Sequence, residues 1–94
     1  MFKKLNPLIH SELRLDVMSV LMYVEEADFV YIREKKGSTA GSLSVQIDKL
    51  NKAGYVEVTK TFNGKLPRTV CKITPEGMNA MQEYVEALKS YLKL

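Results

Sequence analysis

The chain has 94 residues, 46% apolar and 27% charged, with a formal charge of +3; against roughly 150 residues for an ordinary domain, this is one unit, residues 1–94, without room for a second lobe. Its single cysteine excludes an internal disulfide, and one His with one Cys excludes a zinc cage within the chain; with no signal peptide and no apolar run of about 18 residues, the expectation is a cytoplasmic protein off the membrane and without cofactor. A chain this short buries only about 60 to 68% of its unfolded surface, which favours a second copy as partner.

Asn6-Pro7 reads as an N-cap with proline at the first helical position, and Ser11 is a second candidate cap. The first helix is expected over 11–24. Leu13, Val17, Val20, Leu21 and Val24 form one apolar stripe, and Leu15, Met18 and Met22 a second on another face. A helix apolar on two sides is buried on two sides, either at the centre of its domain or between its domain and a second chain. Glu25 to Asp28 is a short polar break, and Asp28 caps a brief second helix over 28–36 that stops at Gly37. Ser38 and Thr39 offer caps to a third helix over 39–53, with Leu43, Ile47 and Leu50 facing inward and Gly54 closing it.

After Gly54 the period changes from 3.6 to 2. Residues 55–74 read as a hairpin, Tyr55 to Phe62 and Arg68 to Thr74, turned at Asn63-Gly64, with Cys71 and Ile73 on the inward face. Thr74-Pro75 then caps a last helix over 75–92. Met78, Met81, Val85, Leu88 and Leu92 recur at spacings of 3, 4, 3 and 4, a heptad seam of about two repeats that points to a dimer contact, with closure of the chain's own core as the simpler reading.

The positive charge is local. Residues 1–37 and 75–94 are neutral and slightly acidic, whereas residues 38–74 carry Lys49, Lys52, Lys60, Lys65, Arg68 and Lys72 against only Asp48 and Glu57. Such a patch attracts a polyanion, or simply keeps a helix and hairpin soluble.

Helix, helix, helix, hairpin, helix is the element order of a winged helix-turn-helix, an α+β, mostly α fold with a two-stranded wing, whose third helix enters the major groove. The outward side of that helix carries Thr39, Gly41, Ser42, Ser44, Val45, Asp48 and Lys49, residues small enough for close approach, with a valine methyl to meet a thymine methyl. Gln46 reads adenine if it points outward, although its spacing flanks the core stripe. Asp48 either reaches a cytosine amine or pairs with Lys49 or Lys52. At the wing, Asn63, Lys65 and Arg68 are candidates for phosphate contact. Catalysis has no support: His10 is alone, Cys71 is predicted inward, and the five glycines punctuate the chain without forming a phosphate loop.

The run from Ser38 to Val56, STAGSLSVQIDKLNKAGYV, resembles the recognition helix and "LxxAGYV" exit of the bacterial and archaeal MarR/ArsR-like transcriptional regulators, most closely their compact winged-helix DNA-binding subfamily. His10 to Leu15 is similar to that group's first-helix opening, Lys60 to Thr69 to its wing, and Ile73 to Gly77 to its "LTPEG" lead into the dimerisation helix; the likeness spans about residues 5 to 92. It implies a homodimeric, often repressing, regulator on a pseudo-palindromic site in double-stranded DNA. Carried over by position, helix contacts fall on Thr39, Gly41, Ser42, Ser44, Val45, Gln46 and Lys49, and wing contacts on Asn63, Lys65 and Arg68. Dimer contacts are expected from Leu15, Met18, Met22, Met78, Met81, Val85, Leu88 and Leu92. The family's metal sensors use helical cysteine and histidine motifs that this chain lacks, so no metal site is expected. Met18, Met22, Met78 and Met81 either line a pocket for a small-molecule effector or are plain core. The alternative function is a winged-helix protein-docking module with little affinity for DNA.

Overall fold

The computed structural model describes residues 2–92. Its elements are α1 (Glu12–Val24), β1 (Glu26–Asp28), α2 (Phe29–Lys36), α3 (Ala40–Lys52), β2 (Val56–Asn63), β3 (Leu66–Ile73) and α4 (Pro75–Leu92). The hairpin is not an isolated two-stranded ribbon. Its strands belong to a three-stranded antiparallel sheet of order β1-β3-β2, in which Ala27 pairs with Cys71 and Val58 pairs with Cys71 from the other side. The break read at Glu25 to Asp28 is therefore a strand, entered through Glu25 at φ 69 and fastened where the Ile73 amide donates to the Glu25 carbonyl at 3.1 Å.

Local signals account for most helix ends. Asp28 accepts from the Tyr31 amide at 2.8 Å, Thr39 from the Ser42 amide at 3.2 Å, and Thr74 Oγ1 from the Gly77 amide at 2.9 Å, each satisfying an amide that the helix itself leaves free. Gly37 closes α2 in the left-handed region at φ 61. Asn6 caps as its sequence suggests, but a separate turn ahead of α1, whereas Ser11, at the N-cap position of α1, makes no side-chain capping bond. The Asn6 carboxamide oxygen accepts from the Leu8 and Ile9 amides at 3.0 and 3.4 Å and holds a single turn, and α1 begins only at Glu12.

α1 lies at the centre, as its two apolar faces require. Val17, Met18 and Leu21 are fully buried among Ile32, Leu43, Leu50, Val56 and Cys71, and Leu13, Leu15, Val20, Met22 and Val24 pack on that core from its margins. Arg14 ties the layers together, its guanidinium donating to the Leu8 carbonyl and to Gln46 Oε1 on α3, both at 2.5 Å.

The N-terminal segment runs along α4. The Lys3 amide donates to Ser90 Oγ at 3.0 Å, Phe2 stacks on Tyr91 with ring centroids 4.6 Å apart, and His10 Nδ1 and Tyr84 Oη share a 2.9 Å hydrogen bond. α4 buries Gly77, Ala80, Met81, Tyr84 and Ala87 within its own chain. That face overlaps the heptad seam only in part. Met81 and Met18 are 3% and 0% exposed, so these two residues, expected at a dimer contact and as pocket lining, are core side chains instead.

Candidate nucleic-acid interface

α3 is amphipathic: Leu43, Ile47 and Leu50 sit in the core, and the opposite side presents Gly41, Ser42, Ser44, Val45, Asp48 and Lys49 to solvent. Val45 is half exposed at the centre of this face, 52% accessible, among side chains no larger than serine toward the N-terminus. The first intrahelical bond runs from the Leu43 amide to the Thr39 carbonyl. The Ala40 and Gly41 amides precede it, and with Gly41 having no atom within 4 Å of a Cβ position, the helix start is open to close approach.

Three of the expected contact residues already have partners within the domain. Gln46 is half buried and its oxygen is taken by Arg14, so it joins α3 to α1 and does not face outward as a reader of adenine. Thr39 keeps an exposed side chain, but its hydroxyl already accepts from the Ser42 amide. Arg68 stands on β3 opposite Thr61, with Nε 3.5 Å from Asp28, so part of its charge is spent at the base of the wing. Asp48 pairs with Lys52 at 2.9 Å, one of the two pairings expected, which leaves Lys49 as the uncommitted cation of the helix.

The wing leaves the domain beside α3. An open cleft of about 530 Å³ separates them, with Ser44, Asp48 and Asn51 on the helix side and Val58, Lys60 and Thr69 on the sheet side. Asn63 and Lys65 flank Gly64 at the tip, where φ 67 makes the tight turn that glycine tolerates. Sequence reasoning passed over Phe62 and Leu66, whose side chains are 70% and 69% exposed at this tip. Strand alternation alone would have marked Phe62, because it follows Val56, Val58 and Lys60 on one face, past the end of the core.

Cys71 is fully buried, and burial together with the charge of Asp28 pushes its thiol from 9.0 up to about 11. A thiol held protonated in this way is neither a nucleophile nor a ready redox group. Between pH 9 and 11 the unfolded chain ionises this thiol while the folded one retains the proton. The stability it contributes is therefore full below pH 9 and is lost as the pH rises through 11, a fall of about 2 to 3 kcal/mol. Urea unfolding of the wild type and Cys71→Ala across that range isolates it: the stability difference between the two should shrink with rising pH, and parallel curves would contradict the assignment.

Among the described residues no group of three or more His, Cys, Asp or Glu side chains is placed to hold a metal, and no helix is long and apolar enough to cross a membrane. Over residues 13–92 the sequence matches the family described as winged helix DNA-binding domain. The chain belongs to that family. Winged helix domains of this kind are DNA-binding regulators and not enzymes, in accord with a structure that offers a small-faced helix and a basic wing on one side. The chain is similar to an uncharacterised protein of Methanocaldococcus jannaschii, 31% identical over 78 residues that make up 83% of this chain and 85% of the other. It superposes with a TM-score of 0.86 on a transcriptional regulator homologue from Pyrococcus horikoshii, 29% identical, over 92% of this winged helix and 85% of that chain. NadR, solved in complex with 4-hydroxyphenylacetate, shares the fold at a TM-score of 0.74 and 22% identity, over 93% of this chain and 64% of its own.

Proposed function

We propose that this winged helix is a MarR/ArsR-like repressor that acts as a homodimer in the cytoplasm on a pseudo-palindromic operator. The observation that carries the reading is the exposed side of α3, which is built of Gly41, Ser42, Ser44 and Val45 around a free helix start and is bordered by Lys49 on the helix and Lys60 and Lys65 on the wing. Small side chains let the helix sit deep in the major groove, and the lysines supply affinity by releasing counterions from phosphates. For the dimer, the outward part of α4 offers Val85 and Leu92, both exposed, beside the half-buried Met78 and Leu88, with Leu15 and Met22 at the margin of α1. Two such domains reach half-sites about 34 to 36 Å apart. With Met18 and Met81 in the core, a methionine-lined effector pocket is no part of the proposal.

The test is a titration against the duplex upstream of the gene that encodes the chain and a scrambled duplex of equal length, at two salt concentrations, with the mass read by light scattering. A two-chain particle that prefers the upstream duplex and loses affinity with salt is the expected result, and Lys65→Ala lowers the slope of log K against log salt by about 1. Weak, salt-insensitive binding to both duplexes by a folded protein would replace this reading with the protein-docking module.

A further inference from the structure

The tip of the wing is apolar, which phosphate contact does not explain. In the hairpin register Phe62 pairs with Pro67 and Asn63 with Leu66. Alternation places Phe62 and Pro67 on the face that carries Lys60 and Thr69, the face that looks across the cleft to α3, and Leu66 on the opposite face. Phe62 and Leu66 are each about two thirds exposed, among the most exposed large apolar side chains of the domain. The tip is therefore apolar on both faces at once.

The charge around it favours one partner. From Val58 to Pro75 the chain has Lys60, Lys65, Arg68 and Lys72 and not a single carboxylate. The acids beside this stretch lie at the wing's base, where Glu26 and Glu57 stand opposite Lys72 in the sheet register and Asp28 pairs with Arg68. An apolar tip whose outer strands, beyond Glu57, carry only cations fits a polyanion with an apolar interior, which is stacked DNA. Docking onto a protein surface would use one face of the tip, whereas insertion between two walls uses both.

Resting on the DNA-binding reading above, we infer that Phe62 and Leu66 form a wedge that enters the minor groove next to the major groove occupied by α3, opens a base step and bends the duplex. The minor groove is about 6 Å wide, which admits the side chains of the tip and not the ribbon. Phe, Leu and Pro are the residue types that unstack steps from this groove, and pyrimidine–purine steps such as TA open most easily. Pro67 fixes the backbone behind the phenyl ring, and Lys60 and Lys65 hold the flanking phosphates while the step opens. The wing in this view reads deformability, and it adds sequence preference at positions α3 does not touch.

The experiment uses the full chain and the upstream duplex, carried with fluorophores at its ends for energy transfer and, separately, with 2-aminopurine at successive steps of the flanking minor groove. Saturating wild-type protein should shorten the end-to-end distance and brighten 2-aminopurine at one flanking step per half-site. Phe62→Ala should lose both signals and about tenfold in affinity, with an unchanged circular dichroism spectrum because the ring is exposed. Phe62→Leu should keep most of the bend, and Lys65→Ala should bend the DNA at saturation despite weaker binding. A Phe62→Ala protein that bends the duplex as the wild type does overturns the wedge while leaving the DNA-binding reading intact. A Phe62→Ala protein that binds and bends normally but loses self-association assigns the tip to a protein contact and equally overturns it. Failure of the wild type to bind either duplex would overturn both readings together.

Discussion

Replacing Gly77 with alanine should destabilise the domain by about 3 kcal/mol or more, although alanine in place of glycine inside a helix ordinarily stabilises by about 1 kcal/mol. A Cβ at this position would lie 2.2 Å from the Tyr55 carbonyl oxygen and 3.0 Å from Ile73 Cγ1. The first of these is backbone and is not free to move aside. Tyr55 accepts from the Thr74 amide at 3.1 Å through that same oxygen, and Thr74 Oγ1 donates to the Gly54 carbonyl at 2.6 Å. The exit of α3, the root of the wing and the start of α4 thus converge on one point that only glycine fits. Gly41→Ala is the matched control: it too is helical, but nothing lies within 4 Å of its added methyl, so it should gain up to about 1 kcal/mol in stability. At about 4 to 8 °C per kcal/mol for a domain of this size, the two variants should melt on opposite sides of the wild type, more than 10 °C apart. Should Gly77→Ala melt within a degree or two of the wild type, the close approach of α4 to Tyr55 is not as described.

That junction also marks how much the sequence discloses. The stripe Leu43, Ile47, Leu50, the cap at Thr39 and the Asn63-Gly64 turn are local features, each decided by residues within one or two turns, and they are legible from spacing alone. β1 is not. Glu26-Ala27-Asp28 is short and acidic, and becomes a strand only because the β3 edge is there to pair with it. The N-terminal segment shows no periodicity, yet Ile9 is wholly buried, in a segment tied to residues far along the chain by Asn6 to Tyr55 and by His10 to Tyr84. The same distance hides the ties of Gln46 to Arg14, 32 residues away, and of Arg68 to Asp28. Periodicity located the apolar side of α4 to within one position but carries no information on whether that side meets the same chain or another. Gly77, Ala80, Tyr84 and Ala87 are small or amphipathic and count little in a hydrophobic pattern, whereas they form the intrachain face.

Substitution of Val45 by glutamate should weaken binding to the upstream duplex by at least about 100-fold, equivalent to about 2.7 kcal/mol, while leaving the fold intact. Val45 is 52% exposed and has no core role, and glutamate is a better helix former than valine, so stability should stay within about 0.5 kcal/mol. In the proposed complex the same position faces base edges between two rows of phosphates. A carboxylate there meets acceptors and negative charge where a methyl group had met a thymine methyl, and Lys49, four residues on and on the same face of α3, can pair with it only by giving up its own phosphate. Val45→Ala separates the two contributions: it removes methyl contact without adding charge, so it should cost about 1 kcal/mol on the upstream duplex and little on the scrambled one, flattening the preference between them. Fluorescence anisotropy on both duplexes reads each effect. Undiminished binding by Val45→Glu would mean that the exposed side of α3 is not the surface that meets DNA, and the small side chains around it would then have to serve close approach to a protein.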